Sequence, residues 1–123
     1  MKPLILVIED DDMMRSTLFE ILELEDFNVV SAGDGLLGLR LGKEMQPDLI
    51  ICDLNIPIIN GYGVLQKLRE NLTTADIPVI FLTSDSNPES RQRAMQLGVN
   101  SYLTKPVTIS KLLETIKANT LVH

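Results

Sequence analysis

The chain has 123 residues, 45% of them hydrophobic and 23% charged, with a net charge of −6 and a sequence pI near 4.6. That balance fits a folded chain with a real core and argues against a disordered tail. It also argues against a sequence-independent grip on nucleic acid or an anionic membrane, which needs clustered Lys and Arg.

Cys52 is the single cysteine, so no intrachain disulfide forms, and the residue reads as a small core side chain rather than a redox group. No apolar run approaches the roughly 20 residues of a membrane span. The start, Met1 to Ile8, is too short for a signal peptide and leads directly into acids. The expectation is one cytoplasmic domain over residues 1–123.

Taken in order, Leu4 to Ile8 is a first apolar run, and Met14, Leu18, Ile21, Leu22 and Glu25 then share one helical face. Asn28 to Ser31 is a second strand candidate. Leu36 to Met45 is a weaker helix, because Gly38 and Gly42 each cost about 1 kcal/mol against alanine in a helix interior. Leu49 to Asp53 is a third strand, followed by a helical stripe at Val64, Leu65, Leu68 and Leu72. Val79 to Leu82 is a fourth. Pro88 suits a helix first turn, and Gly98 after Leu97 marks its end. Ser101 to Leu103 is a fifth strand, and Ile109, Leu112, Leu113 and Ile116 form the most regular helical stripe.

The first, third and fourth runs lack polar alternation, as expected of strands covered on both faces. Strands alternating with helices predict right-handed βαβ units and a parallel sheet with helices on both sides. This pattern leaves the strand order open.

In such a sheet, ligands sit beyond the carboxyl ends of the strands. Glu9, Asp10, Asp11 and Asp12 follow the first run, Asp53 closes the third, Thr83 and Ser84 follow the fourth, and Thr104, Lys105 and Pro106 follow the fifth. Helix capping accounts for Asp12, and with it Asp11. It does not account for Asp53 at the same edge. Crowded carboxylates repel unless a cation neutralises them, and a hard ion such as Mg²⁺ fits oxygen donors beside a phosphate. Pro106 biases Lys105 to an extended backbone, which aims its ammonium along the strand toward those acids.

The segments Leu6-Val7-Ile8-Glu9-Asp10, Asp53-Leu54-Asn55-Ile56-Pro57 with Asn60-Gly61, Val79 to Ser84, and Tyr102-Leu103-Thr104-Lys105-Pro106 together resemble the receiver domains of two-component response regulators, including the chemotaxis type. Ala32-Gly33-Asp34-Gly35 resembles the family's second turn. The resemblance covers nearly the whole chain. It implies a flavodoxin-like (βα)5 fold with strand order 2-1-3-4-5, an arrangement for which the cited principle itself names a receiver.

It further implies that Asp53 accepts a phosphoryl group from a sensor histidine kinase or phosphotransfer protein. Glu9, Asp10, Asp53 and the backbone carbonyl of Asn55 would hold Mg²⁺, with Thr83 and Lys105 on the phosphoryl oxygens. Tyr102 is implied to turn inward with Thr83, switching a protein-binding surface on the fourth helix, fifth strand and fifth helix. Asn55 and Asp85 match positions that tune phosphoryl lifetime, expected at minutes or shorter.

Val107 departs from the aromatic that often follows Lys-Pro. Asn100-Ser101 replaces an acidic pair common in receivers that dimerise through that face, so a monomer or weak dimer is expected. The expected partners are proteins, including an unidentified downstream target, with no direct contact to nucleic acid or membrane. No output segment is recognisable after Ile116, which favours a stand-alone receiver over one excised from a longer regulator or hybrid kinase. A haloacid-dehalogenase-type phosphatase wants a second acid where Asn55 stands, so a turnover enzyme is disfavoured. A phosphorylation-independent scaffold would not need the full acid, threonine and lysine set. A flavin protein of this fold would want a Ser/Thr/Gly-rich loop after the first strand.

Overall fold

The computed structural model describes residues 2–120. Strands and helices alternate: β1 (Leu4–Ile8), α1 (Asp12–Leu24), β2 (Asn28–Ala32), α2 (Gly35–Met45), β3 (Leu49–Cys52), α3 (Gly61–Glu70), β4 (Val79–Thr83), α4 (Pro88–Gln96), β5 (Ser101–Thr104) and α5 (Ile109–Thr120). The five strands form one sheet in the order β2-β1-β3-β4-β5, and every pairing is parallel.

Because side chains alternate along a strand, each central strand feeds two cores. Leu6, Ile8, Ile50, Cys52, Val79 and Phe81 pack toward α2, α3 and α4, meeting Leu39, Val64, Leu65, Leu68 and Ala94. Ile5, Val7, Leu49, Ile51, Ile80 and Leu82 pack toward α1 and α5, meeting Leu18, Leu22, Leu112 and Ile116. Double-sided burial is the physical reason for the unbroken apolar runs. Cys52 is fully buried within the first core.

Parallel topology brings every helix N-terminus to the strands' carboxyl edge, and each start is capped by a side chain there. Asp11, Asp34, Asn60 and Asn87 accept backbone N–H bonds at the heads of α1 to α4. Thr108 does the same for α5, accepting from Lys111 N at 3.0 Å. The cap of α1 is therefore Asp11. Asp12 lies one residue inside and pairs with Arg15 at 2.6 Å.

Three further details differ from the periodicity. Leu72 lies beyond the end of α3 and is almost fully exposed, because the helix stops at Glu70. Ile109 opens α5 but faces solvent, so the buried part of its stripe begins at Leu112. Gly38 lets α2 approach β1 closely: a Cβ there would sit 2.5 Å from Ile8 Cδ1. The glycine that weakens the helix is what permits its packing. Gly98 follows the C-cap of α4 with φ +96°, as its position after Leu97 suggests.

Candidate functional site

Parallel register sets the ends of β1, β3, β4 and β5 side by side. Ile8 pairs with Cys52, and Asp53 continues that ladder, its N–H donating to Ile8 O at 3.0 Å. Glu9 likewise continues β1, its N–H donating to Ala32 O at 3.0 Å. Both carboxylates are thus held by strand backbone rather than by mobile loop. Glu9 is 3% exposed and Asp53 8%.

Lys105 reaches across from the end of β5. Its Nζ donates to Glu9 Oε1 at 2.7 Å and to Asp53 Oδ2 at 3.0 Å. Its own backbone N–H donates to Thr83 O at 2.7 Å, so β4 carries the residue that spans the site. Burial pushes the Glu9 carboxyl above the usual range, outweighing the hydrogen bond from Lys105 that pulls the other way. Burial also works against the charge on Lys105, but the hydrogen bonds it donates to Glu9 and Asp53 overcome it and raise its pKa. The asymmetry has a geometric cause: Glu9 is the drier partner, whereas Lys105 is shared by two acids.

Asp10 is exposed beside them, and ligand oxygens of Glu9, Asp10 and Asp53 all lie within 4.8 Å of one another. Three hard oxygen donors at such spacing fit a divalent ion like Mg²⁺, which needs few protein ligands and keeps its waters. Asn55 is exposed just beyond, its N–H donating to Asp53 Oδ1 at 3.3 Å.

A second group is centred on Thr83. Its side chain is fully buried, and Oγ1 accepts from Asp85 N at 3.3 Å. Tyr102 lies inward at 4% exposure, and its hydroxyl donates to Asp85 O at 2.6 Å. Burial, followed by the charge of Asp85, raises the Tyr102 hydroxyl pKa to about 12. The Asp85 carboxylate points into its own loop, accepting from Ser90 Oγ at 2.7 Å and Asn87 N at 2.9 Å. The Ser90 bond holds its carboxyl below the usual range, with help from Asn87.

Sequence reasoning missed the surroundings of this group. Phe81 stands edge-on between Tyr62 and Tyr102, with centroids 6.2 and 6.3 Å away. Tyr62 donates to Ser90 O at 3.1 Å, and Arg93 covers its ring at 4.2 Å. Arg15 donates to Glu9 O at 2.8 Å and braces the first acidic loop. No local signal marks Tyr62, Phe81 and Arg93, whose partners lie distant in sequence. Asn100, noted for replacing an acid, accepts from Val79 N at 2.9 Å and Arg69 Nη2 at 3.0 Å, which gives it an internal role.

Residues 5–117 match the family model described as response regulator receiver domain. The chain is 37% identical over 116 residues to the DNA-binding dual master transcriptional regulator RpaA of Synechocystis sp., covering 94% of this chain and 48% of RpaA. It is 28% identical over 114 residues to the polar-differentiation response regulator DivK of Brucella anthropi, covering 93% of each. The solved signal receiver domain of a signal transduction histidine kinase from Syntrophus aciditrophicus superposes with a TM-score of 0.89 at 30% identity, covering 96% of this chain and 89% of that one. The chain thus spans about half the length of RpaA but nearly all of DivK.

Proposed function

This chain belongs to the response regulator receiver domain family, and we propose that Asp53 is its phosphoacceptor, served by Glu9, Asp10, Thr83 and Lys105. One observation carries the reading: a nearly buried Asp53 carboxylate is fixed between the Lys105 ammonium and two further acids at a parallel sheet's carboxyl edge.

A carboxylate oxygen of Asp53 forms the new bond to phosphorus, while the phosphorus–nitrogen bond of a phosphohistidine breaks and its electron pair returns to the imidazole. Such transfers need positioning and charge stabilisation more than covalent help. Lys105 supplies a mobile ammonium that can leave Asp53 Oδ2 for a phosphoryl oxygen, and Thr83 offers its hydroxyl from the neighbouring strand. Glu9, Asp10, Asp53 and the Asn55 carbonyl would hold Mg²⁺, which neutralises charge on the acids and the phosphoryl group. On this reading the chain catalyses its own phosphorylation and dephosphorylation and turns over no external substrate.

The consequence is a change at Thr83 passed to Asp85 and Tyr102, and so to the face of α4, β5 and α5. Asn55 and Asp85 line one groove of about 390 Å³ together with Leu54, the residue after Asp53, a placement that suits control of phosphoryl lifetime. The partners on this reading are a sensor histidine kinase or phosphotransfer protein and a downstream protein target, met in the cytoplasm by a single receiver domain. The length of RpaA supports a second reading, in which the same site is the input half of a longer regulator.

The test is incubation with Mg²⁺ and acetyl phosphate. The wild-type chain is expected to gain one phosphoryl group by intact mass, and Asp53→Asn none. A wild type that stays unmodified, and whose Tyr102 environment does not respond to beryllofluoride, would sink the reading.

A further inference from the structure

The fourth helix has little apolar hold on the rest of the molecule. Ala94 is the one side chain that α4 buries. Burial of so small a group does little to fix a helix, so polar contacts at its head decide where it lies.

Those contacts come as a pair. Phe81 stands between Tyr62 and Tyr102, edge-on to both, and α4 meets each tyrosine in the same way. Arg91 lies over the Tyr102 ring at 5.7 Å, and Arg93 over the Tyr62 ring at 4.2 Å. Each hydroxyl donates to a backbone carbonyl at or just before the head of α4: Tyr102 to Asp85 O at 2.6 Å, and Tyr62 to Ser90 O at 3.1 Å.

The two anchor points are themselves joined. Ser90 Oγ donates to Asp85 Oδ2 at 2.7 Å, so the residue that Tyr62 holds is bonded to the residue on which Tyr102 docks. Asn87 N adds a second bond to the same carboxylate at 2.9 Å, and Asp85 N donates to Thr83 Oγ1 at 3.3 Å. A hydrogen-bonded path thus runs from Tyr62 on α3 through Ser90 and Asp85 to both Tyr102 and Thr83. An inward tyrosine needs an acceptor, because a buried hydroxyl left unpaired is costly. The inward position of Tyr102 therefore depends on where the Asp85 carbonyl is held.

We propose that Tyr62 is a positioning residue of the switch: acting through Ser90, it fixes the Asp85 carbonyl on which the Tyr102 hydroxyl docks, so that the inward population of Tyr102 is set from α3 as well as from Thr83. This goes beyond the assignment of Asp53 but rests on the reading of Tyr102 as the switch group. Tyr62 itself takes no part in phosphoryl transfer.

The chain has two tyrosines, so ring-labelled protein gives two tyrosine NMR signals, assigned with Tyr62→Phe and Tyr102→Phe. Exposure of the Tyr102 ring is read from its relaxation by a soluble nitroxide in the metal-free chain. Tyr62→Phe keeps the ring against Phe81 and Arg93 and removes only the hydroxyl, while Ser90→Ala cuts the link to Asp85. Both are expected to raise nitroxide relaxation of Tyr102 by about twofold or more, since losing one hydrogen bond shifts a two-state population by about threefold to tenfold. Ser90→Thr keeps a hydroxyl and is expected to match wild type. Unchanged Tyr102 exposure in both variants would overturn the inference and reduce Tyr62 to packing between α3 and α4. A rise confined to one variant would break the path and overturn it too, as would a Ser90→Thr chain as exposed as Ser90→Ala. Beryllofluoride with Mg²⁺ is expected to return Tyr102 in both variants to the wild-type value. A rise that beryllofluoride leaves in place supports the Tyr62 contact and defeats the parent account of Tyr102 instead.

Discussion

Lys105 and Glu9, 96 positions apart in the chain, share a 2.7 Å hydrogen bond that ties the end of β5 to the end of β1. Asp53, lying between them just past the end of β3, takes a second bond from the same ammonium at 3.0 Å. The three charges form one unit, and removing its single cation leaves two mostly buried carboxylates facing each other. Lys105→Met is therefore expected to lower unfolding free energy by about 1–2 kcal/mol, below the full penalty for breaking a buried pair because Lys105 is partly solvated. Urea unfolding without divalent metal measures this. An unchanged midpoint would mean that solvent already screens the pair.

Repulsion among Glu9, Asp10 and Asp53 predicts the opposite sign for an acid. Asp10→Asn should stabilise the metal-free chain by about 0.5–1 kcal/mol, a small value because Asp10 is exposed. The same change should reduce the stabilisation that Mg²⁺ confers on wild type, which by linkage reaches about 2.7 kcal/mol at one hundred times the dissociation constant. Unfolding curves with and without Mg²⁺ for both chains test the two halves together. An Mg²⁺ increment equal in both would exclude Asp10 from the metal site.

Tyr102 gives a pH dependence remote from the acids. Its hydroxyl is raised from 10.0 to about 12 by burial, with the charge of Asp85 adding to it. The folded state thus keeps a proton that the unfolded chain loses earlier. This contribution to stability is fully present below pH 10.0 and disappears as pH rises through about 12. Lys105, also raised above its ordinary 10.5, acts in the same direction. The difference between wild type and Tyr102→Phe isolates the tyrosine: the variant should lose stability less steeply across that alkaline window. Parallel slopes for the two chains would refute it.

Gly38→Ala sets two magnitudes against each other. Helix propensity favours alanine by about 1 kcal/mol. The added methyl would sit 2.5 Å from Ile8 Cδ1 and 3.0 Å from its Cγ2, on a side chain that is 1% exposed and branched at Cβ. Overpacking of this kind costs about 1–3 kcal/mol, so a net destabilisation of about 1 kcal/mol is expected in thermal unfolding. A stabilised variant would show that α2 can shift away from β1.

The legible parts of the site share a physical reason. A residue that ends an apolar run must leave the core, so Glu9, Asp53, Thr83 and Lys105 could be placed at one edge from local pattern alone. Pro88 and Gly98 were legible because their backbone restrictions travel with the residue type. Leu72 misleads because its spacing continues a helical stripe, while the chain leaves the helix at Glu70. The turn at Ile58 has no local signature: Pro57-Ile58-Ile59 reads as apolar sequence, while the positive φ occurs in a loop held by Gly35 N on Pro57 O and Gly61 N on Leu54 O.

By itself, then, the sequence determined which residue types stand where the strands end, since burial and its termination are local properties of the chain. The tertiary structure decided that Lys105 binds Glu9 as well as Asp53, that Tyr102 lies inward on Asp85, and that Ile58 faces solvent. Strand order and register set those relationships, bringing together groups dozens of residues apart whose separation leaves no mark in the local periodicity.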